Sequence, residues 1–184
     1  MKRFLDIMIA LAALLVLAPV WLLAALAIAL ESGGPVLFRQ TRLGLRGREF
    51  NMLKFRSMRQ SAATTGPYFT AANDTRITRV GRFIRRTSID ELPQLVNVLR
   101  GDMSLVGPRP DVPAQRGLYS DADGAQRCRV RPGITGLAQA LLRPEATEAQ
   151  RLALDLRYTR EASVWFDLKI LGLTVARLSG KGSN

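Results

Sequence analysis

The chain contains no histidine and a single cysteine, Cys128, in 184 residues. The absence of histidine excludes the usual zinc sites and every Ser-His or Cys-His nucleophile arrangement. One cysteine leaves no partner for an intramolecular disulfide and no thiolate-rich metal site, which fits a reducing compartment. Chemistry must therefore come from carboxylates, lysine, arginine, tyrosine or hydroxyl groups. Acid is also scarce, with 15 Asp and Glu against 27 Lys and Arg and a net charge of +12. That balance points to anionic partners: nucleic acid, acidic lipid headgroups or phosphorylated small molecules. The basic residues run along the whole chain, so they belong to a folded surface and not to a basic tail. The length suits one domain with a proper core.

Charge is missing altogether from Ile7 to Leu30, IMIALAALLVLAPVWLLAALAIAL, a run of 24 residues. At about 1.5 Å per residue this run is long enough to cross a hydrocarbon core of about 30 Å. A cleavable signal peptide fits poorly, because the apolar region is overlong and its Ala-x-Ala triplets lie inside it. Pro19, at its middle, removes a helical hydrogen bond and breaks or kinks the helix. Lys2 and Arg3 precede the run, and Arg39, Arg42, Arg46 and Arg48 follow it. The positive-inside rule places both flanks in the cytoplasm, which a single crossing cannot satisfy. A helix broken at Pro19 that enters one leaflet and returns satisfies both, each arm being roughly a dozen residues. A kinked single-pass anchor is the plainer alternative.

Beyond Gly33-Gly34-Pro35, the stretch VLFRQTRLGLRGREFNMLKFRSM predicts a hairpin or two short strands ending in a basic segment. Residues 60–74 predict a loop, and 75–110 a helix, an acidic pair, a second helix and a Gly-Pro-Arg-Pro loop. Residues 111–130 predict connecting structure with some helix, RPGITGLAQ is turn-rich, and the end predicts helix, turn, helix. In the last helix Val164, Leu168, Leu171 and Val175 share one face. That face suits a core helix, or an interfacial helix with Trp165 and Phe166 at headgroup level.

The acidic pair, Asp90-Glu91 in TSIDELPQL, has two readings. Ser88-x-x-Glu91 matches a capping box, with acid favoured in a first turn by the helix dipole. Pro93 pins the helix start nearby, and a helix start also favours phosphate. Arg82, Arg85, Arg86 and Arg109 would then offset the repulsion between carboxylate and phosphate. Adjacent carboxylates without histidine suit a hard ion such as Mg²⁺ better than zinc. Prolines on both sides of Arg109 stiffen its backbone for phosphate contact, or simply make a rigid turn. Gly133 and Gly136 would free backbone amides for a phosphate.

These strings occur in a recognisable order: the broken apolar helix, KFRSM, DTRITRVGRFIRRTSIDELPQLVNVLRGDMSLVGPRP, RPGITGLAQ and FDLKIL. Together they resemble the bacterial sugar transferases, the small monotopic phosphoglycosyl transferases that act on polyprenol phosphate. The resemblance covers nearly the whole chain. It implies an α+β, mostly helical fold, with a re-entrant membrane helix at 1–34 and a small catalytic domain with few short strands at 35–184. That domain would lie on the cytoplasmic face of the bacterial inner membrane. The implied reaction moves a phospho-sugar from a UDP-sugar to undecaprenyl phosphate, releases UMP, requires Mg²⁺ and is the first membrane step of glycoconjugate assembly. Asp90 would be the nucleophile, forming a covalent phospho-sugar intermediate, and Asp90 and Glu91 would hold Mg²⁺. Arg85 and Arg109 would bind phosphate, with Lys54 and Arg56 as further candidates. Arg143 falls at the family's arginine, although Leu141-Leu142-Arg143-Pro144 replaces an Asn-Gly-Arg-Asn-like string. Membrane lipids are implied partners, nucleic acid is not, and a homo-oligomer is left open. The competing readings are a non-catalytic membrane-bound basic module for anionic lipid or nucleic acid, and a single-step transferase without a covalent adduct.

Overall fold

The computed structural model describes residues 1–59, 74–142 and 146–178. Arg143, and all of the expected 60–74 loop except Asp74, lie outside these residues. The amino-terminal run forms α1 (Lys2–Val16) and α2 (Ala18–Ser32), each of 15 residues, bent by 62°. Among the described residues no single helix is long and apolar enough to cross a membrane. The break falls at Leu17 and not at Pro19 itself, which occupies the first turn of α2. A proline ring disrupts the turn before it, while its missing N–H has no partner to lose in a new first turn. Leu15, Val16, Leu22 and Leu23 stand exposed around the bend.

The start of α1 is docked by polar contacts. The Asp6 carboxylate accepts from Ser104 Oγ at 2.9 Å and from the Leu105 N–H at 3.2 Å. Lys2 Nζ donates to the Val106 carbonyl at 3.2 Å and pairs with Asp167.

The expected hairpin is β1 (Leu37–Leu43) antiparallel to β2 (Glu49–Phe55), with Leu37 opposite Phe55 and Leu43 opposite Glu49. Its turn uses left-handed backbone at Arg46 and Gly47. Next come α3 (Arg79–Arg86), α4 (Gln94–Arg100) and β3 (Ser104–Val106), then α5 (Asp121–Arg127) and β4 (Gly133–Thr135). The chain ends in α6 (Leu137–Leu141), α7 (Glu148–Glu161) and α8 (Val164–Leu178).

The stretch RPGITGLAQ is more regular than turn-rich. It forms β4, parallel to β3, and then α6. Gly133 is required there by close approach, since a Cβ would lie 2.1 Å from the Gly107 nitrogen. Its N–H donates to the Pro108 carbonyl at 2.9 Å, so one of the two amides expected to meet phosphate is already used.

The core gathers Ala10, Met52, Leu95, Val98, Met103, Val106, Tyr158 and Ile170. In α8 the expected face is split. Ile170 and Leu171 pack inward, while Leu168, Val175 and Trp165 point out. Asp167 turns the helix this way, because Lys2 and the Tyr158 hydroxyl partner it inside the fold.

Candidate active site

α3 is tied to the apolar amino-terminal helices at its start. The Arg79 and Val80 N–H groups donate to Glu31 of α2 at 2.7 and 3.0 Å, and Thr78 Oγ1 caps Gly81 at 2.8 Å. Gly81 rests directly on β2's exit, where a Cβ would fall 2.0 Å from the Ser57 carbonyl oxygen. The helix ends at Thr87, and Ser88 takes left-handed backbone, φ 56° and ψ 15°. Asp90 and Glu91 follow in a 3₁₀ turn, Ile89–Glu91, and Pro93 stands immediately before α4.

The expected capping box is not formed. Ser88 caps no helix with its side chain, and α4 starts after Pro93, too far on for Ser88 to reach. Glu91 turns its carboxylate the other way, where Oε1 accepts from Lys54 Nζ at 2.8 Å and from Arg109 Nη2 at 3.0 Å. Three separate segments thus meet: β2, the 3₁₀ turn and the loop after β3. Asn97 of α4 sets their register, accepting from the Leu53 N–H at 2.9 Å and donating to the Asn51 carbonyl at 2.8 Å.

Burial alone would raise the pKa of Glu91, but the Arg109 guanidinium and the Lys54 ammonium hold it down to about 2. Asp90 shifts the other way. It is 9% exposed and has no hydrogen-bond partner among the described residues. Burial raises its pKa, Lys54 opposes that rise and Glu91 adds to it. Arg85, in the last turn of α3, is near enough to lower it. Two neighbouring carboxylates are thereby driven to different pKa values, which suits different tasks.

Arg109 is itself held from below. Arg127, buried on α5, donates to the Arg109 carbonyl, pairs with Asp111 and reaches Asp155 Oδ2 of α7 at 2.8 Å. Arg56 is not brought to this cluster. It is buried against the end of α2, donating to Ser32 Oγ at 2.8 Å and to the Gly33 carbonyl. Arg127 and Asn97 escape sequence reasoning, because nothing local marks a residue whose partners are 16 to 46 positions away.

Among the described residues no group of three or more His, Cys, Asp or Glu gathers as a metal cage. The Asp90-Glu91 donor set nevertheless fits Mg²⁺, which is held by one or two carboxylates together with substrate phosphate and water. Asp90 supplies carboxylate oxygens that none of the described residues hydrogen-bonds.

A family profile described as bacterial sugar transferase matches residues 1–181. The chain belongs to the bacterial sugar transferases. This sugar transferase is 51% identical to a UDP-glucose:undecaprenyl-phosphate glucose-1-phosphate transferase of Caulobacter vibrioides, over 96% of its own length and 69% of that relative. It is 47% identical to the protein of the same name in Escherichia coli, over 95% of its own length and 39% of that relative. It is also 47% identical to the exopolysaccharide production protein PSS of Rhizobium leguminosarum, over 99% of its length and 98% of that relative. The transferase therefore spans well under half of some curated relatives it matches and nearly all of another.

Proposed function

We propose that this chain transfers a phospho-sugar from a UDP-sugar to undecaprenyl phosphate, releasing UMP, through a covalent intermediate on Asp90. The reaction is the first membrane step of a glycoconjugate or polysaccharide. One observation carries the reading: a buried carboxylate without a hydrogen-bond partner among the described residues lies beside a second carboxylate that two cations hold ionised. The names of the relatives supply the substrate class.

In the first step an Asp90 oxygen attacks the β-phosphorus of the UDP-sugar. The bond from that phosphorus to the bridging oxygen breaks, and UMP departs with the bonding electrons. Asp90 then carries the phospho-sugar as an acyl phosphate. A phosphate oxygen of undecaprenyl phosphate attacks the same phosphorus, the aspartyl–phosphorus bond breaks, and the carboxylate is restored. Arg109 and Lys54 have two functions here. They keep Glu91 ionised and present positive charge where the phosphates gather. Arg85 supports Asp90 in its ionised form from α3. Mg²⁺, held by Asp90 and Glu91, would supply charge neutralisation to the diphosphate. The α1–α2 pair enters the inner leaflet from the cytoplasmic side and returns, which keeps Arg3 and Arg39 on one face of the membrane.

Intact-protein mass spectrometry tests this reading. The detergent-purified chain is incubated with Mg²⁺ and UDP-glucose, followed by a panel of other UDP-sugars, without acceptor. A phospho-sugar increment that is absent from Asp90→Asn and discharged by undecaprenyl phosphate is expected. UMP release that occurs only after the acceptor is added, with no adduct, would overturn the covalent route in favour of single-step transfer. Salt-sensitive lipid binding that survives Asp90→Asn, with no UMP from any sugar, would favour the non-catalytic module.

A further inference from the structure

Next to the carboxylate pair lies a cleft of about 800 Å³, open to one side. Its walls come from β1, the loop after β3, and the segments from Pro113 to Arg177 that pack over it. Arg109, which touches Glu91 on one side, borders this cavity on the other.

A second guanidinium shares that border. Arg42 Nη1 donates to the Pro110 carbonyl at 2.9 Å, and its Nε and Nη2 donate to Gln40 Oε1 at 3.2 and 2.6 Å. These neutral acceptors fix the guanidinium in place without pairing its charge. No carboxylate pairs with Arg42 among the described residues, and the nearby Asp111 is paired with Arg127. Burial and the Arg109 charge push the Arg42 pKa down to about 10, against the smaller opposing pull of Asp111 and Glu91. Two fixed guanidinium groups that repel each other at the rim of a cavity are matched by an anion lying between them.

The rest of the wall indicates the kind of anion. Leu118, Leu142 and Tyr119 give apolar and aromatic surface. Gln139 borders the same cavity, and both polar atoms of its side chain are buried without a partner. A bare phosphate would leave most of this volume empty, whereas a nucleoside is of the size such pockets enclose. A primary amide offers one donor and one acceptor side by side, which complements the N–H and carbonyl on the edge of an imide base.

We infer that this cavity is the nucleoside monophosphate subsite, with Arg42 and Arg109 clamping the diphosphate and the uracil ring lying beside Tyr119 and Gln139. The inference rests on the UDP-sugar reading above and assigns a binding role to Arg42, Gln139 and Tyr119. The phosphate that leaves with the nucleoside lies at the Arg42 side of Arg109. The phosphorus bearing the sugar lies at the Asp90 side.

The test uses the full chain in detergent and measures equilibrium binding of UMP and of inorganic pyrophosphate. KM values for the UDP-sugar and for undecaprenyl phosphate are measured alongside. Arg42→Gln is expected to weaken UMP and pyrophosphate and to raise the UDP-sugar KM in parallel, by roughly 10- to 100-fold. The acceptor KM should stay within about twofold, a split that a general loss of structure would not give. Arg42→Lys, which keeps the charge and loses the fork, should fall between. Gln139→Leu should weaken UMP and leave pyrophosphate unchanged. A folded Arg42→Gln that binds UMP as the parent does overturns the assignment. If that variant does not fold, unchanged UMP affinity in both Arg42→Lys and Gln139→Leu overturns it instead. A parent chain that binds UMP through Arg42 but releases none from any UDP-sugar would sink the transfer reading and leave the nucleotide site standing. Normal turnover in Arg42→Gln would sink the site alone.

Discussion

Lys54 and Arg109 converge on one atom, Oε1 of Glu91, at 2.8 and 3.0 Å. A carboxylate shared by two cations is held firmly ionised, and it screens the two cations from each other. Glu91 therefore works as a strut that joins β2 to the Gly-Pro-Arg-Pro loop. Asp90, one residue earlier, has no hydrogen-bond partner among the described residues, and burial raises its pKa against the opposing pull of Lys54.

Glu91→Gln should separate these roles. The amide keeps the shape but cannot neutralise Lys54 and Arg109, whose charges then face each other inside the site. Stability should fall by about 2 kcal/mol, the scale of hydrogen bonds to a charged group. Adduct formation on Asp90 should slow by at least about 100-fold. Denaturant melts and the mass-spectrometric adduct assay check the two effects separately. An unchanged melt would show that the strut carries no load.

The two carboxylates give pH dependences of opposite origin. The folded-state pKa of Glu91 lies near 2, below its ordinary value of 4.5. Its stabilising contribution is complete above the unfolded value and is lost as pH falls toward 2. Between about pH 5 and pH 2.5 the parent should lose more stability than Glu91→Gln. The Asp90 pKa is raised above 3.8, so adduct formation, which needs its ionised form, should fail on the acid side at a pH above that value. Lys54 opposes the rise, and Lys54→Met should move this acid limb to still higher pH. A limb that does not move would remove Lys54 from the Asp90 environment.

Much of this arrangement was legible locally. Charge-free composition, Pro19 and basic flanks foretold the bent helix pair, and the stretch that follows Gly33-Gly34-Pro35 foretold the hairpin. The Asp90-Glu91 pair stood out locally, and Arg109, expected near it, does meet Glu91. The errors have a common cause. Ser88 and Glu91 have the spacing of a capping box, yet cations brought in from β2 and from the loop after β3 outbid that local pairing. The α8 face was misjudged because Asp167 is drawn inward by its contact with Lys2, 165 positions away, which no local pattern shows. Arg42 was legible only as part of a basic flank. Its proximity to Arg109 depends on how β1 folds back against the loop after β3.

Ser88 is the joint between α3 and the acidic turn, and its left-handed backbone is uncommon for a residue with a side chain. Ser88→Gly should leave stability unchanged or raise it by up to about 1 kcal/mol, because glycine adopts that conformation without strain. Ser88→Val should cost about 1–3 kcal/mol, since a β-branched residue resists φ near +56°. It should also slow adduct formation, because relaxing the joint moves Asp90. Thermal melts of the two variants decide the first point. A Val variant as stable as the parent would mean that the joint is not strained.

The membrane-run helices should divide into a part that belongs to the fold and a part that belongs to lipid. Asp6 is buried at the start of α1, where it satisfies the Ser104 hydroxyl and the Leu105 N–H. Asp6→Ala leaves both donors unpaired in the interior and should destabilise the detergent-solubilised chain by about 3 kcal/mol. Leu22 and Leu23 stand exposed beyond the bend and touch no comparable network. Replacing both by Ser should leave the detergent melt within about 0.5 kcal/mol of the parent, as for other exposed positions. The same pair should weaken retention on liposomes of anionic lipid, because each leucine contributes apolar area that only a bilayer covers. Flotation with and without the double substitution measures this. If Leu22→Ser with Leu23→Ser unfolds the chain in detergent while Asp6→Ala does not, the division is wrong and the bend is part of the folded core.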